Sequence, residues 1–320
     1  LLVDTIHLPD GDVVESLGGI AYSIAYLVAQ APVGVHIEPV CRVGSDLWDE
    51  VLGAWVSLPS LDPRFLIRSE QPTPRNTLVY AAAAGSCESQ RQGRHGIGDR
   101  SERPTGLLPP LTGDEVTSAG GADLVLINNI SGRDLDFVAM RRLSEACRSV
   151  YLDVHSLALG FADDGSRFYR RPREWSSWLS CADLVQCNRA EAAVLAGMDA
   201  FDHDPKAVEA FLERQLLESS LRESGRPRAI VVTAGERGAT ALWRDGDRVA
   251  RARVPAVAVD LVDPTGAGDA FGAGCALAWL WGASPAEAAL QGVLTGAAAC
   301  TVVGVADPAQ LRRAVETLRA

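Results

Sequence analysis

The sequence predicts an α/β fold, a parallel sheet covered by helices, and three observations carry that expectation. Apolar strand-like runs alternate with helix-period segments for most of the chain. A length of 320 residues with 47% hydrophobic content is ample for one large core. A glycine turn, Asp263-Pro264-Thr265-Gly266-Ala267-Gly268-Asp269-Ala270-Phe271-Gly272-Ala273-Gly274, runs straight into an Ala-rich apolar helix.

Taken in order, Gly18-Gly19 opens a helix over Ile20–Gln30. A strand is expected at Val35–Val43 and a helix at 46–57; then strand Ala122–Asn128 and helix 134–147, strand Ser149–Val154, strand Leu184–Gln186 and helix 189–196. A helix at about 205–224 leads into the strand Arg228–Thr233, and the last third is expected to be helical around the glycine turn. Pro285 and Glu287 divide the apolar stretch 270–303 into two packed helices, so no membrane span is expected. Two stretches break the alternation. One is 4–17, with a Pro9-Asp10-Gly11 turn; the other is 62–105, with β-type pieces at 64–68 and 77–82 followed by a polar run. Strand pieces that leave an α/β core and return are candidates for a β lid, and for 86–105 a surface loop is the alternative.

A formal charge of −11 argues against nucleic acid or an anionic membrane as partner. Seven cysteines stand singly, with no C-x-x-C pair, which indicates neither zinc nor a disulfide framework and fits a reducing cytoplasm. The chain opens on Leu1 with a strand already under way, and the first strand is expected to be truncated.

The glycine turn is a place to put a phosphate: small residues let backbone approach a ligand, and a helix beginning there aims its unpaired N–H groups and positive dipole end at an anion. It is not a Walker loop, because no Gly-Lys-Ser/Thr follows and Lys206 is the single lysine. Charge neutralisation then falls to arginine, metal or backbone. Asp269 either caps the helix or takes a proton from an attacking hydroxyl. Asn188-Arg189-Ala190-Glu191 puts an amide and a carboxylate one turn apart, suited to a hydrated Mg²⁺ or to capping alone. Thr233, Gly235 and Gly238 close a strand where a nucleotide can approach, and Arg75 begins a lid strand with a guanidinium to place over the covered pocket.

Together with Val43-Gly44-Ser45-Asp46, these motifs resemble the ribokinase-like PfkB family of sugar and nucleoside kinases over nearly the whole chain, Thr265-Gly266-Ala267-Gly268-Asp269 being the most specific match. The resemblance implies a single domain over 1–320: a twisted, mostly parallel sheet flanked by helices, with a small β lid (about 4–17 and 62–105) that often builds a homodimer. It implies transfer of the γ-phosphoryl group of ATP, with Mg²⁺, to a hydroxyl. Asp269 then matches the catalytic base and Gly266, Ala267 and Gly268 the anion hole; Asn188 and Glu191 match the metal and phosphate motif, and Thr233, Gly235 and Gly238 the nucleotide contacts. Asp4, Gly18, Gly19, Ser23 and Arg75 fall on the acceptor side, and Asp263 with the Thr265 carbonyl matches a K⁺-type site of some members. Ser23 stands where the family usually has Asn, and Asp153-Val154-His155 departs from its Asp-x-Asn; His155 reads as a satisfied strand-end histidine. The acceptor stays open between a sugar or related polyol, a nucleoside, and a sugar phosphate held by Arg75 and the Arg91, Arg94, Arg100 and Arg103 cluster. A catalytically weak sugar or nucleotide sensor is the remaining alternative.

Overall fold

A computed structural model describes residues 1–8, 11–80, 100–219, 221 and 224–319. Strands β1 (Leu2–His7) and β2 (Val13–Gly18) lead into helix α1 (Ile20–Gln30), which buries its small and aromatic residues against the C-terminal helices. The expected strand at Val35–Val43 shrinks to β3 (Arg42–Val43) and one bridge from Ile37 to Leu61, because Pro39 cannot donate to a ladder. Helix α2 (Trp48–Val56) follows, then β4 (Ile67–Arg68), which pairs with β3, and the longer strands β5 (Arg75–Tyr80) and β6 (Arg100–Thr105).

The α/β alternation then runs as predicted through β7 (Val125–Asn128), α3 (Phe137–Ala146) and β8 (Val150–Asp153). A small hairpin, β9 (Leu159–Phe161) and β10 (Arg167–Tyr169), and the short α4 (Trp175–Ser180) precede β11 (Leu184–Asn188) and α5 (Arg189–Leu195). Next come α6 (Pro205–Ser219) and β12 (Ala229–Thr233), followed by an antiparallel pair that the sequence reading missed, β13 (Ala239–Asp245) and β14 (Arg248–Val254). The chain ends on α7 (Ala267–Leu280), α8 (Pro285–Ala299) and α9 (Pro308–Arg319). The break between α7 and α8 is a capping box, in which Ser284 Oγ accepts from Glu287 N while Glu287 accepts from Ser284 N.

The main sheet has the order β14-β13-β12-β11-β8-β7, parallel from β12 to β7 and antiparallel at the β13–β14 end. Its β-branched strands pack on one face against α3, α5 and α6 and on the other against α7 and α8. Parallel pairing brings the carboxyl ends of β7, β8, β11 and β12, with Asn128, Asp153, Asn188 and Thr233, to one edge, where open α/β sheets bind ligands.

The two stretches that interrupt the alternation join in a second sheet, β2-β1-β5-β6. Strand period 2 divides its faces. Leu2, Asp4, Ile6, Asn76, Leu78, Tyr80 and Glu102 are buried on one face, and Val13 and Val79 are exposed on the other. Leu78 is thus an inward residue, packed with Ile6 and Tyr80. Residues 81–99, including Arg91 and Arg94, lie outside the described residues.

Gly266 sits at φ 76°, and a Cβ there would run into the Tyr22 ring; Gly268 has only Gln186 Nε2, at 4.0 Å, near its missing Cβ. Gly266→Ala is expected to lower stability by about 1–3 kcal/mol through strain and overpacking. Gly268→Ala, inside α7, should keep or raise it by roughly 0.5–1 kcal/mol. Equal losses in chemical denaturation of the two variants would show that the turn is not pinned by Tyr22.

Candidate active site

A cavity of about 780 Å³ lies between the lid sheet and the carboxyl edge of the main sheet. Its floor is the start of α7, with Thr265, Gly266, Ala267, Gly268 and Asp269 all lining it. Three contacts hold that floor. Gln186 Nε2 donates to the Gly268 carbonyl (3.0 Å) while its Oε1 accepts from Tyr151 (2.7 Å). Tyr80 and Thr265 hydroxyls are 2.9 Å apart, tying lid strand β5 to the turn. Asn128 Nδ2 donates to Asp269 Oδ1.

On the lid side, Asp4 faces the cavity and accepts from Asn76 Nδ2 (3.0 Å), its neighbour across the β1–β5 ladder. Gly18 does not line the cavity; it is glycine because a Cβ would collide with the Asp4 carboxylate. Gly19, at φ 61°, does line it and opens α1. Arg100 and Glu102 also face inward, paired at 2.8 Å. Arg103 is one residue further on the opposite face, exposed and 3.8 Å from Asp164.

Two acceptor-side expectations are corrected. Arg75 points away from the cavity: its guanidinium donates to Asp46 (3.0 Å) and to the Thr73 carbonyl (3.0 Å), because an outward position on β5 faces the Val43–Asp46 turn. Ser23 lies behind Asp269, accepting from Asn128 Nδ2 (3.0 Å) and donating to the Asp269 carbonyl (3.4 Å). It lines a separate, mainly apolar cavity of about 300 Å³ between α1, β7 and residues 35–42. His155, two residues beyond the end of β8, is partnered as expected and also lines the site. At φ 29° it turns into the main cavity, with Nδ1 3.8 Å from Glu191.

At the far end, Thr233, Gly235 and Gly238 line the cavity beside Val257, Val259, Leu261, Val293 and Ala297, an apolar shelf. Asn188 and Glu191 form a capping box: Asn188 Oδ1 accepts from Glu191 N (2.9 Å), and the Glu191 oxygens accept from Asn188 N and Nδ2 (both 2.7 Å). Asp263 is enclosed and outside the cavity, its two oxygens accepting from Thr265 N (2.8 Å) and Gly304 N (3.1 Å).

The electrostatics follow from acids sharing a poorly hydrated space. Burial raises the Asp4 carboxyl to about 7, despite its hydrogen bond from Asn76. Burial likewise raises Asp269 and Asp153; for Asp269 it is opposed by His155 and by the Asn128 hydrogen bond. Burial alone would lower His155, but Glu191, Asp153 and Glu102 outweigh it and raise it to about 9. Burial alone would raise Glu102, but Arg100, His155 and Arg167 together outweigh it and hold Glu102 low.

The model of the pfkB family carbohydrate kinases matches residues 162–312, which include the capping box, the apolar shelf and the α7 floor. Over that stretch the chain is similar to the pfkB family of carbohydrate kinases. The inositol 3-kinase of Oryza sativa subsp. japonica is 29% identical over 310 residues, 95% of this kinase and 68% of that protein. The inositol 3-kinase of Zea mays is 45% identical over 168 residues, 52% of this kinase and 37% of that protein. A ribokinase-family pyrophosphate-dependent kinase, solved with a pyrophosphate analogue and myo-inositol, superposes with a TM-score of 0.69 at 15% identity. That match covers 99% of this kinase and 97% of that chain, and so establishes the ribokinase-like fold.

Sequence reasoning missed Asn76, Glu102, Asn128, Tyr169 and Gln186 as contributors to the site. For the lid pair the signal was present, since Asn76 and Glu102 share the inward parity of their strands.

The raised Asp4 carboxyl gives a sign-definite pH effect. An acid whose folded-state pKa lies above its unfolded value favours the fold when protonated, and this contribution is lost as pH rises from about 4 through about 7. Ligand-free Asp4→Asn should therefore gain stability over the parent as pH increases, up to about 4 kcal/mol above pH 7, and show no such gain near pH 4. Denaturation midpoints that differ by the same amount at both pH values would contradict a buried, reluctant carboxylate.

Proposed function

We propose that this kinase transfers the γ-phosphoryl group of ATP to a hydroxyl of a polyol of the cyclitol type, with Asp269 as general base. The observation that carries this reading is Asp269 on the cavity floor, in the first turn of α7, facing Asp4 and Asn76 across the pocket. One end then holds polar groups that read hydroxyls, the other holds the Gly235–Gly238 turn and the apolar shelf, and the base stands between them. The shelf supports a nucleotide donor over pyrophosphate, which has no apolar part to bury. The relatives named as inositol 3-kinases support the acceptor class.

Phosphoryl transfer needs alignment, charge neutralisation and a nearby base. The acceptor oxygen, held by Asp4 and Asn76, attacks the γ-phosphorus; the new O–P bond forms as the bond to the β-phosphate bridging oxygen breaks, the hydroxyl proton passes to Asp269, and ADP leaves. First-turn amides of α7 receive the charge that develops on the transferred group. Closure of the lid sheet excludes water from the transfer. Its outer face, with Val13 and Val79, suits a second copy of the chain.

The cavity is lined by Asp4, Glu102, Asp153, Glu191, Glu236 and Asp269 against Arg100 and His155, so an anionic donor enters it with a divalent cation. These oxygen donors fit Mg²⁺, a hard ion that keeps its waters, and bound there it would neutralise phosphate charge. Asn188 and Glu191 would hold it through its waters, because both Glu191 oxygens are already engaged. A K⁺ ion fits less well at Asp263, whose oxygens each accept a backbone N–H, and no step is assigned to one.

Asp269→Asn should keep nucleotide binding and lower turnover roughly 10²–10⁴-fold. The assay pairs ATP or pyrophosphate with myo-inositol, a pentose and a nucleoside; near-parental turnover in the variant removes Asp269 as base, and turnover with pyrophosphate alone overturns the donor. Glu191→Gln should raise the Mg²⁺ concentration needed for half-maximal rate, whereas an unchanged Mg²⁺ dependence returns the pair to helix capping alone.

A further inference from the structure

Four helices of this fold carry an acid at the third position of their first turn, Glu50 in α2, Glu191 in α5, Asp269 in α7 and Glu287 in α8, and two of those acids do the same thing. Glu191 in α5 and Glu287 in α8 fold back to accept the N–H of their own N-cap residue, at 2.7 and 2.9 Å. Asp269 occupies the same position in α7, after the N-cap Gly266. Its carboxylate instead accepts from Asn128, at the end of the edge strand β7.

The geometry around Asn128 is directional. An amide nitrogen can only donate, and its two hydrogens serve Asp269 Oδ1 and Ser23 Oγ, while the Ser23 hydroxyl donates to the Asp269 carbonyl. Asn128 Oδ1 is enclosed without a protein partner. Turning the amide over would set that oxygen against the carboxylate and lose both donations. Asn128 and Ser23 line the smaller cavity and not the larger one, so they touch Asp269 from behind, out of reach of an acceptor in the main cavity.

We propose that Asn128 is a positioning residue for the phosphoryl transfer, drawing the Asp269 carboxylate away from helix capping and holding it as a proton acceptor at the cavity floor. The proposal rests on the assignment of Asp269 as base. An aspartate in a first helical turn has several open rotamers, and one of them returns it to the cap; a fixed donor on a different element selects another. Ser23, one atom longer than alanine and much shorter than asparagine, leaves room on α1 for the Asn128 amide and completes its bonding.

The test separates a positioning role from a structural one. Asn128→Ala and the isosteric Asn128→Asp are made in the parent and in the Asp269→Asn background, with turnover, acceptor KM and the pH dependence of kcat measured. Losing a hydrogen bond to a charged group should lower kcat roughly 10–100-fold, with acceptor KM little changed. The acid limb of the kcat profile should move to higher pH, because a carboxylate without its donor holds its proton more tightly. The other groups facing Asp269 stay in place: Asp4 of β1, Tyr22 of α1, Arg100 and Glu102 of β6, and Asp153 and His155 at the end of β8. Asn128→Asp, which keeps the shape and so the fold, should move the limb further by adding a like charge. Neither change should lower turnover further once Asp269 is Asn. A parental acid limb and kcat in both Asn128 variants, or losses that multiply in the Asp269→Asn background, overturn the proposal. Near-parental turnover of Asp269→Asn alone overturns the base assignment instead, so the two failures are distinguishable.

Discussion

The start of α7 is fixed from three directions, and the rest of the site is arranged around it. The Tyr22 ring lies against Gly266, where only a residue without Cβ and tolerant of φ 76° fits. Gln186, rising from the centre of the parallel sheet, holds the Gly268 carbonyl, and Asn128 holds the Asp269 side chain. Helix α1, the main sheet and α7 are therefore locked to one another at the glycine turn that the proposed function assigns to the phosphate. A lone glycine turn could flex; this one has a ring beneath it and sheet side chains on either side. Close-packed interiors transmit such constraints because their parts have few alternative arrangements.

A concentration of acids is the second feature that organises the molecule. In a poorly hydrated pocket carboxylates repel one another and resist ionisation, as the upward displacement of Asp4, Asp153 and Asp269 shows. His155 and Arg100 offset part of that cost, and together with Arg167 they hold Glu102 low. The same imbalance supports the proposal that an anionic donor enters the pocket together with a cation. In the proposed reaction, a chain with a single lysine would handle phosphate by backbone, helix dipole and a metal-bearing donor, in place of the lysine of a Walker loop.

Much of the fold was legible in local pattern. Strands β8, β11 and β12 are dense in Val, Ile and Leu because they are buried on both faces, and the Ser284–Glu287 capping box divides α7 from α8 within a continuous apolar run. The antiparallel pair β13–β14 was missed although Asp245-Gly246-Asp247 joins two alternating runs, a recognised hairpin signal. Val35–Val43 read as a strand on apolar content, but Pro39 removes a ladder donor in the middle of it. Arg75 read as a ligand-side cation, yet strand parity sets it opposite Asn76, which faces the cavity.

By itself the sequence determined the local chemistry: a helix beginning at a glycine turn with Asp269 in its first turn, a capping pair at Asn188 and Glu191, and strands that must lie inside a covered parallel sheet. These depend on residues within one or two turns of each other, where spacing alone settles which groups meet. What only the tertiary structure decided is which distant groups share the cavity. Asp4 meets Asn76 across 72 residues and Asp269 meets Asn128 across 141, through strand register and helix packing. No local spacing encodes those meetings, because they depend on how the two sheets and α7 close on one another to bury their apolar faces.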